Sequence, residues 1–177
     1  KLTYGIINVS SVQASNVITS GDGTTFTYKS KFTGNENVIK RPLIGMHNVM
    51  NALAAMTVAE KMGVSDKDIE TAFAEVRLTE KRQEILRFGD ITVINDAYNA
   101  SPASMEAAMK TLAEVKKSAG AGRSIAVLAD MLELGESSEE AHRRVGDYIV
   151  RENIDFVIAY GKESRAIIDQ AAKSGIS

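Results

Sequence analysis

Three stretches of the sequence gather side chains able to hold a ligand. The richest is Asn95-Asp96-Ala97-Tyr98-Asn99, which places a carboxylate, a phenol and an amide between the apolar run Ile91–Ile94 and the helix start Ser101-Pro102. A strand followed by a capped helix puts such residues outside the carboxyl end of the strand, where open parallel sheets bind ligands. It also sets them beside free helix N–H groups that favour anions. Asp and Asn form turns for local reasons too, so spacing alone leaves a binding role and a turn role equally open. The second stretch is His47-Asn48 followed by Asn51. Amides three residues apart on a helix face one way and can together read the donor and acceptor edge of a base. Asn is also a leading N-cap, and spacing by itself favours one cap and one surface amide. His47 reads as a hydrogen-bonded histidine, and His142 as a helix-surface residue. The third stretch, Asp130-Met131-Leu132-Glu133, offers two carboxylates without a partner base, so a solvated loop is the simpler reading. A last strand end, Tyr160-Gly161, carries little chemistry of its own.

Several chemistries lack their motif. No G-x-x-x-x-G-K-[ST] loop is present, since Gly161-Lys162 is followed by Glu163 and lacks the upstream glycine. Gly120-Ala121-Gly122 precedes a strand instead of following one, so it is no dinucleotide loop. There is no G-x-S-x-G elbow and no histidine pair at metal-ligand spacing. No metal ligand and no catalytic residue are assigned.

The elements that must position these residues change character along the chain. Residues 1 to about 41 read as β structure: Phe26, Tyr28 and Phe32 fall on one side of a period-two pattern, with Ser30 between the last two. Asp22-Gly23 signals a type I′ hairpin turn, and Val17 and Ile18 belong to the strand before it. From Met46 to Met62 the pattern is helical, with Met46, Val49, Met50, Leu53 and Ala54 in an apolar stripe. A second helix starts near Asp66 with Ser65 and Asp68 at capping-box spacing, and Ile69, Ala72, Phe73 and Val76 form its buried face. After Arg77, strands alternate with helices. Ile91–Ile94, Ile125–Ala129 and Phe156–Ala159 are the strands. The helices begin at Ser101-Pro102 (with Met105, Ala108, Met109, Leu112 and Val115 inward), at a Ser137–Glu140 capping box (Ala141, Val145, Tyr148 and Ile149 inward), and at Lys162, running to Lys173. Continuous apolar strands imply burial on both faces, hence a parallel sheet with helices on either side.

Composition bounds the function. Among 177 residues, 21 Lys and Arg stand against 23 Asp and Glu, a formal net charge of -2 with no basic run, which argues against a nucleic-acid partner. With 44% hydrophobic and 25% charged residues the chain is globular. The absence of cysteine excludes a disulfide framework, an iron–sulfur cluster and a thiolate zinc site. No apolar stretch approaches the ~18 residues of a membrane span, so a cytoplasmic protein without a membrane partner is expected.

The order of motifs resembles one family. Gly45-Met46-His47-Asn48-Val49-Met50-Asn51-Ala52-Leu53-Ala54-Ala55 is similar to the central-domain helix of the Mur ligases. Arg82 with Glu84, then Ile94 through Asp96-Ala97-Tyr98-Asn99-Ala100-Ser101-Pro102 to Met105, resembles the start of their C-terminal domain. Asp130-Met131-Leu132-Glu133-Leu134-Gly135, with His142 and Gly146 after it, extends the likeness. The resemblance implies an α/β fold: a Rossmann-like parallel sheet with flanking helices, preceded by the β-hairpin and helical tail of a central ATPase domain. It implies an ATP-dependent amide ligase of peptidoglycan precursor synthesis, in which a carboxylate is phosphorylated and an amine attacks the acyl phosphate. Asparagine at 99 favours the member that uses UDP-N-acetylmuramoyl-tripeptide and D-alanyl-D-alanine, because the tripeptide-forming ligase places histidine there. By the same resemblance Asn48 and Asn51 lie near the adenine, Arg82 reaches the phosphates, and Asp96 holds the ribose hydroxyls. Tyr98 and Asn99 would lie close to ATP in a closed form.

In that frame residues 1–78 are the tail of the central ATP-binding domain and residues 79–177 most of the ligase domain, with a join near Thr79 to Lys81. The phosphate loop, the Mg2+ ligands and a modified lysine are expected upstream of Lys1, and a monomer is expected. The alternatives are another Mur-type ligase, folylpolyglutamate synthase, or a non-catalytic nucleotide-binding α/β module.

Overall fold

The computed structural model describes residues 1–41, 44–76 and 81–176; the expected join at Thr79 and Glu80 lies outside them. The first part is a four-stranded sheet in the order β1-β2-β3-β4, formed by β1 (Tyr4–Gly5), β2 (Val12–Ser20), β3 (Gly23–Ser30) and β4 (Glu36–Arg41). β1 runs parallel to β2, and the other pairs are antiparallel. Period-two alternation sends Phe26, Tyr28 and Ser30 of β3 inward. Phe32 does not join them, because the strand ends at Ser30, whose hydroxyl accepts from Phe32 N at 3.0 Å and turns the chain. The hairpin forms where Asp22-Gly23 predicts it, but one residue earlier. Ser20 pairs with Gly23, leaving Gly21-Asp22 as the turn, and the positive φ (127°) belongs to Gly23. The Ser20 hydroxyl fixes that geometry, accepting from Asp22 N at 3.2 Å and donating to Gly23 O at 3.3 Å.

Helix α1 (Met46–Lys61) lays Val49, Ala52, Leu53 and Met56 on Val12, Ala14, Phe26, Tyr28 and Ile39 of the sheet. Helix α2 (Asp66–Glu75) adds Ile69 and Phe73 to that core, while Ala72 and Val76 stay exposed. Ser65 caps α2 by accepting from Asp68 N at 3.2 Å, but the Asp68 carboxylate takes the Ser65 hydroxyl at 2.6 Å in place of the backbone N–H. Aspartate is one methylene shorter than the glutamate of a full capping box.

The second part opens with β5 (Glu84–Phe88) and β6 (Ile91–Asn95), an antiparallel hairpin closed by Gly89-Asp90. Then follow α3 (Pro102–Ala119), β7 (Ile125–Ala129), a 3-10 turn at Gly135–Ser137, α4 (Ser138–Arg151), β8 (Phe156–Tyr160) and α5 (Arg165–Ala172). β7 and β8 pair in parallel, with Ile125 opposite Phe156. The fold is thus α/β, with a parallel sheet flanked by helices. Met105 and Met109 of α3, Ala126 and Leu128 of β7, Ala141, Val145 and Ile149 of α4, and Ile167 and Ala171 of α5 form one core. Gly146 allows α4 and α5 to meet, since a Cβ there would lie 2.8 Å from Ile167 O.

Four further details differ from the sequence-based expectation. Among the described residues β6 pairs with β5 and not with the parallel sheet, because a two-residue turn brings β5 back at little cost in loop entropy. The strands are also buried on one face only: Val127 is 70% and Ile158 56% exposed. Ser137 does not form a capping box. It ends the 3-10 turn and donates to Leu134 O at 2.7 Å. Helix α5 starts at Arg165 instead of Lys162, because the Asp130 carboxylate captures the N–H groups of Lys162 (3.1 Å) and Ser164 (2.7 Å).

Candidate functional site

The β5–β6 hairpin builds the richest cluster. Glu84 pairs with Asn95 at its open end, so the next residues outward, Gln83 and Asp96, face each other. Gln83 N donates to Asp96 Oδ1 at 3.2 Å, and Tyr98 N donates to Lys81 O at 3.1 Å. Lys81 and Gln83 both adopt left-handed backbone, with φ of 60° and 52°. Non-glycine residues take that region only when their surroundings hold them there, and these two bonds are such restraints. Between them Arg82 swings over the Tyr98 ring, its guanidinium carbon 4.0 Å from the ring centroid. Stacking of this kind suits arginine and pre-orients its donors.

Helix α1 supplies the other wall. Asn48 Nδ2 donates to Ile44 O at 2.9 Å and to Gln83 Oε1 at 2.7 Å. Both amide hydrogens are thereby used, and the amide oxygen keeps its acceptor capacity. Gly45, at the N-cap of α1 with φ of 90°, admits α3 to this corner: a Cβ there would stand 2.5 Å from Thr111 Oγ1. His47 packs against the same glycine and is half-buried.

Gln83 therefore joins Asn48 to Asp96, and beside it in the chain Arg82 lies on Tyr98. Asn51 and Asn99 stand apart. Asn51 is exposed one turn along α1, and the exposed Asn99 accepts from Ala100 N at 2.9 Å within its own turn. Gln83 was not singled out by motif or spacing. Strand β5 had a signal, the Gly89-Asp90 dipeptide between two apolar runs.

The other strand ends hold structure. The hydrogen bond from Ser164 N, with those from the rest of the loop after β8, keeps the Asp130 carboxyl below the usual aspartate range. Glu133 is exposed with φ of 64°, as a solvated loop requires, whereas Asp130 is held by the loop after β8. His142 is not a surface residue: it is fully buried, accepting from Met131 N at 2.9 Å on Nε2 and donating from Nδ1 to Ser138 O at 2.7 Å. It ties the loop after β7 to α4. Asp155 accepts from Lys116 at 2.6 Å and from Ser124 N at 2.6 Å, and its carboxyl is lowered to about 2, chiefly by Lys116. Among the described residues no three His, Cys, Asp or Glu side chains group as metal ligands, and no helix is long and apolar enough to cross a membrane.

Comparison with known proteins matches both parts of the chain. Residues 77–177 match the model for the Mur ligase, glutamate ligase domain, and residues 1–59 that for the Mur ligase middle domain. The chain belongs to the Mur ligase family. It is 38% identical over 172 residues to the UDP-N-acetylmuramoyl-tripeptide–D-alanyl-D-alanine ligase of Bacillus subtilis, covering 97% of the chain and 36% of that relative. It is 36% identical over 180 residues to the ligase of the same name from Buchnera aphidicola, covering 98% of the chain and 37% of the relative. MurF from Acinetobacter baumannii has a crystal structure that superposes with a TM-score of 0.85 at 27% identity, over 97% of this chain and 36% of that one. The chain thus spans little more than a third of the length of each of these three relatives. Its connected cluster unites the two matched segments, Asn48 from the middle-domain match and Arg82, Asp96 and Tyr98 from the other.

Proposed function

We propose that this chain is part of an ATP-dependent amide ligase that joins D-alanyl-D-alanine to UDP-N-acetylmuramoyl-tripeptide, and that it supplies one side of the nucleotide site. The observation that carries the reading is the 38% identity to a ligase of that name across 97% of the chain. The cluster's chemistry supports it. Asp96 has one oxygen bonded to Gln83 N and a second with no described partner, able to accept from ribose hydroxyls. Asn48 offers an amide oxygen, which suits the amino group of adenine. Arg82, stacked on Tyr98, carries donors matched to phosphate oxygens. Asn51 joins the adenine side, and Asn99 approaches the nucleotide on exchanging its local bond for a ligand. Residues 1–78 then form the end of the central ATP-binding domain and residues 79–177 the ligase domain.

The substrate carboxylate attacks the γ-phosphorus of ATP and ADP leaves; the amine of D-alanyl-D-alanine attacks the acyl phosphate and inorganic phosphate leaves. Mg2+, when bound, would neutralise charge on the phosphates. In this chain the residues named above bind and orient the nucleotide. The test is an assay of the gene product carrying these residues, with ATP, Mg2+, the UDP-linked tripeptide and D-alanyl-D-alanine, read by mass spectrometry of the amide product. Phosphate release that needs both acceptor substrates is the expected result. No product, or a product made equally well with a single amino acid in place of the dipeptide, would overturn the proposal.

A further inference from the structure

We infer that Gln83 is a positioning residue for the nucleotide base, holding the Asn48 amide with its oxygen turned outward and tying it to Asp96. The inference rests on the nucleotide reading proposed above. Gln83 is 6% exposed and is held at both ends, by its backbone N–H on Asp96 Oδ1 (3.2 Å) and by its side-chain oxygen under Asn48 Nδ2 (2.7 Å). The orientation of Asn48 follows from its neighbours. Ile44 O is a backbone carbonyl, so the Asn48 atom 2.9 Å from it must be the NH2 group. With the second amide hydrogen committed to Gln83, Asn48 presents only an acceptor to a ligand. Adenine offers an amino donor at the position where guanine offers a carbonyl, so an Asn48 held this way favours ATP over GTP.

The same residue sets a distance. Asn48 lies in the first turn of α1 and Asp96 just after β6, and Gln83 alone among the described residues bonds to both. A base contact and a ribose contact on one nucleoside require those two groups at a fixed separation. The left-handed φ of 52° at Gln83 aims its backbone N–H at one and its side chain at the other.

Gln83→Leu keeps the size and removes the acceptor, whereas Gln83→Glu keeps an acceptor at the same reach. In the gene product carrying these residues, Gln83→Leu should raise the KM for ATP by about tenfold, the effect of one lost hydrogen bond to a half-buried donor. It should also lower the preference for ATP over GTP, with kcat changed less. Gln83→Glu should restore most of both. A purely structural role would lower stability without moving base preference. A Gln83→Leu protein with wild-type KM and wild-type base preference overturns the inference, as does a Gln83→Glu protein as impaired as Gln83→Leu. A second measurement needs no variant: in the wild-type 177-residue chain the Asn48 side-chain amide protons should exchange with solvent slowly relative to those of exposed Asn51. Equal exchange rates overturn the inference even if Gln83→Leu fails to fold. Absence of any ATP-dependent amide formation by the wild-type protein would instead overturn the proposed function, and the exchange measurement would still decide whether Gln83 holds Asn48.

Discussion

Replacing Asp96 with alanine removes two things at once. It takes away a charged acceptor for the ribose hydroxyls, and it strands the N–H of Gln83, which donates to Asp96 Oδ1 at 3.2 Å. Hydrogen bonds to charged groups contribute roughly 1.5–3 kcal/mol net, so ATP affinity should fall about tenfold to a hundredfold. The stranded N–H belongs to a residue that is 6% exposed, and an unpaired buried donor costs about 1–3 kcal/mol. For a chain of this size each kcal/mol lowers Tm by about 2–4 °C. Asp96→Ala should therefore lose both affinity and stability. Asp96→Asn separates the two effects: its side-chain oxygen still accepts from Gln83 N, so its melt should stay near wild type, while its neutral amide holds the hydroxyls less well and the KM for ATP rises. Steady-state kinetics of both variants beside thermal melts make the comparison. An Asp96→Asn protein with an unchanged KM for ATP would remove Asp96 from the nucleotide site. One that melts as low as Asp96→Ala would show that Oδ1 is not what holds Gln83.

The 177 residues by themselves should neither hydrolyse ATP nor form an amide bond, because they contain no G-x-x-x-x-G-K-[ST] loop; phosphate release above a buffer blank in an ATPase-free preparation would refute this. Asp155 has its carboxyl lowered to about 2 by Lys116 and Ser124, so its contribution to stability should be present above pH ~4 and lost as pH falls towards 2. Lys116→Met should flatten that acid limb in melts taken between those values. Glu60 shows the opposite sign. Burial in the first core and the nearby Asp66 raise its carboxyl to about 7, so its stabilising, protonated form is present below the unfolded value of about 4.5 and is lost as pH rises through 7. Glu60→Gln should melt higher than wild type at pH 8 and nearly equal at pH 5, and a constant difference across that range would contradict the assignment.

The residues legible in the sequence were those whose role depends on near neighbours. Ser101-Pro102 reads as a helix start and is one, with Ser101 accepting from Ser104 N at 3.2 Å; serine at 104 returns the bond to Ser101 N at 2.9 Å, which the motif for glutamate does not anticipate. The strand Ile125–Ala129 falls where its apolar run places it. What the run cannot carry is the partner strand, since Ile91–Ile94 is equally apolar and joins a hairpin. His142 escaped for the same reason. Its surroundings on α4 are polar, and the acceptor role that buries it comes from Met131 N, eleven residues away. Asp96 and Asn48 were legible as candidates, but Gln83, which connects them, acts through a backbone conformation that no residue type announces.

The arrangement also accounts for why such a cluster would need more than itself to act on a phosphate. Asn48 Oδ1 and the free oxygen of Asp96 are acceptors, matched to the amino and hydroxyl donors of adenosine. Among the described residues of this corner Lys81 and Arg82 are the cations, and the Glu84 and Asp96 carboxylates offset them. The charge left to meet a triphosphate is therefore close to zero, while phosphoryl transfer demands several positive charges around the reacting oxygens. Nucleoside recognition can reside in this chain without catalysis residing there. That division predicts an order of effects: adenosine should compete with ATP for the 177-residue chain, weaker by no more than the Arg82 contact to phosphate supplies, about a hundredfold. A calorimetric comparison showing that ATP binds more than about a hundredfold tighter than adenosine, a difference of roughly 2.7 kcal/mol, would mean that further cations in this chain reach the phosphates and that the division is drawn in the wrong place.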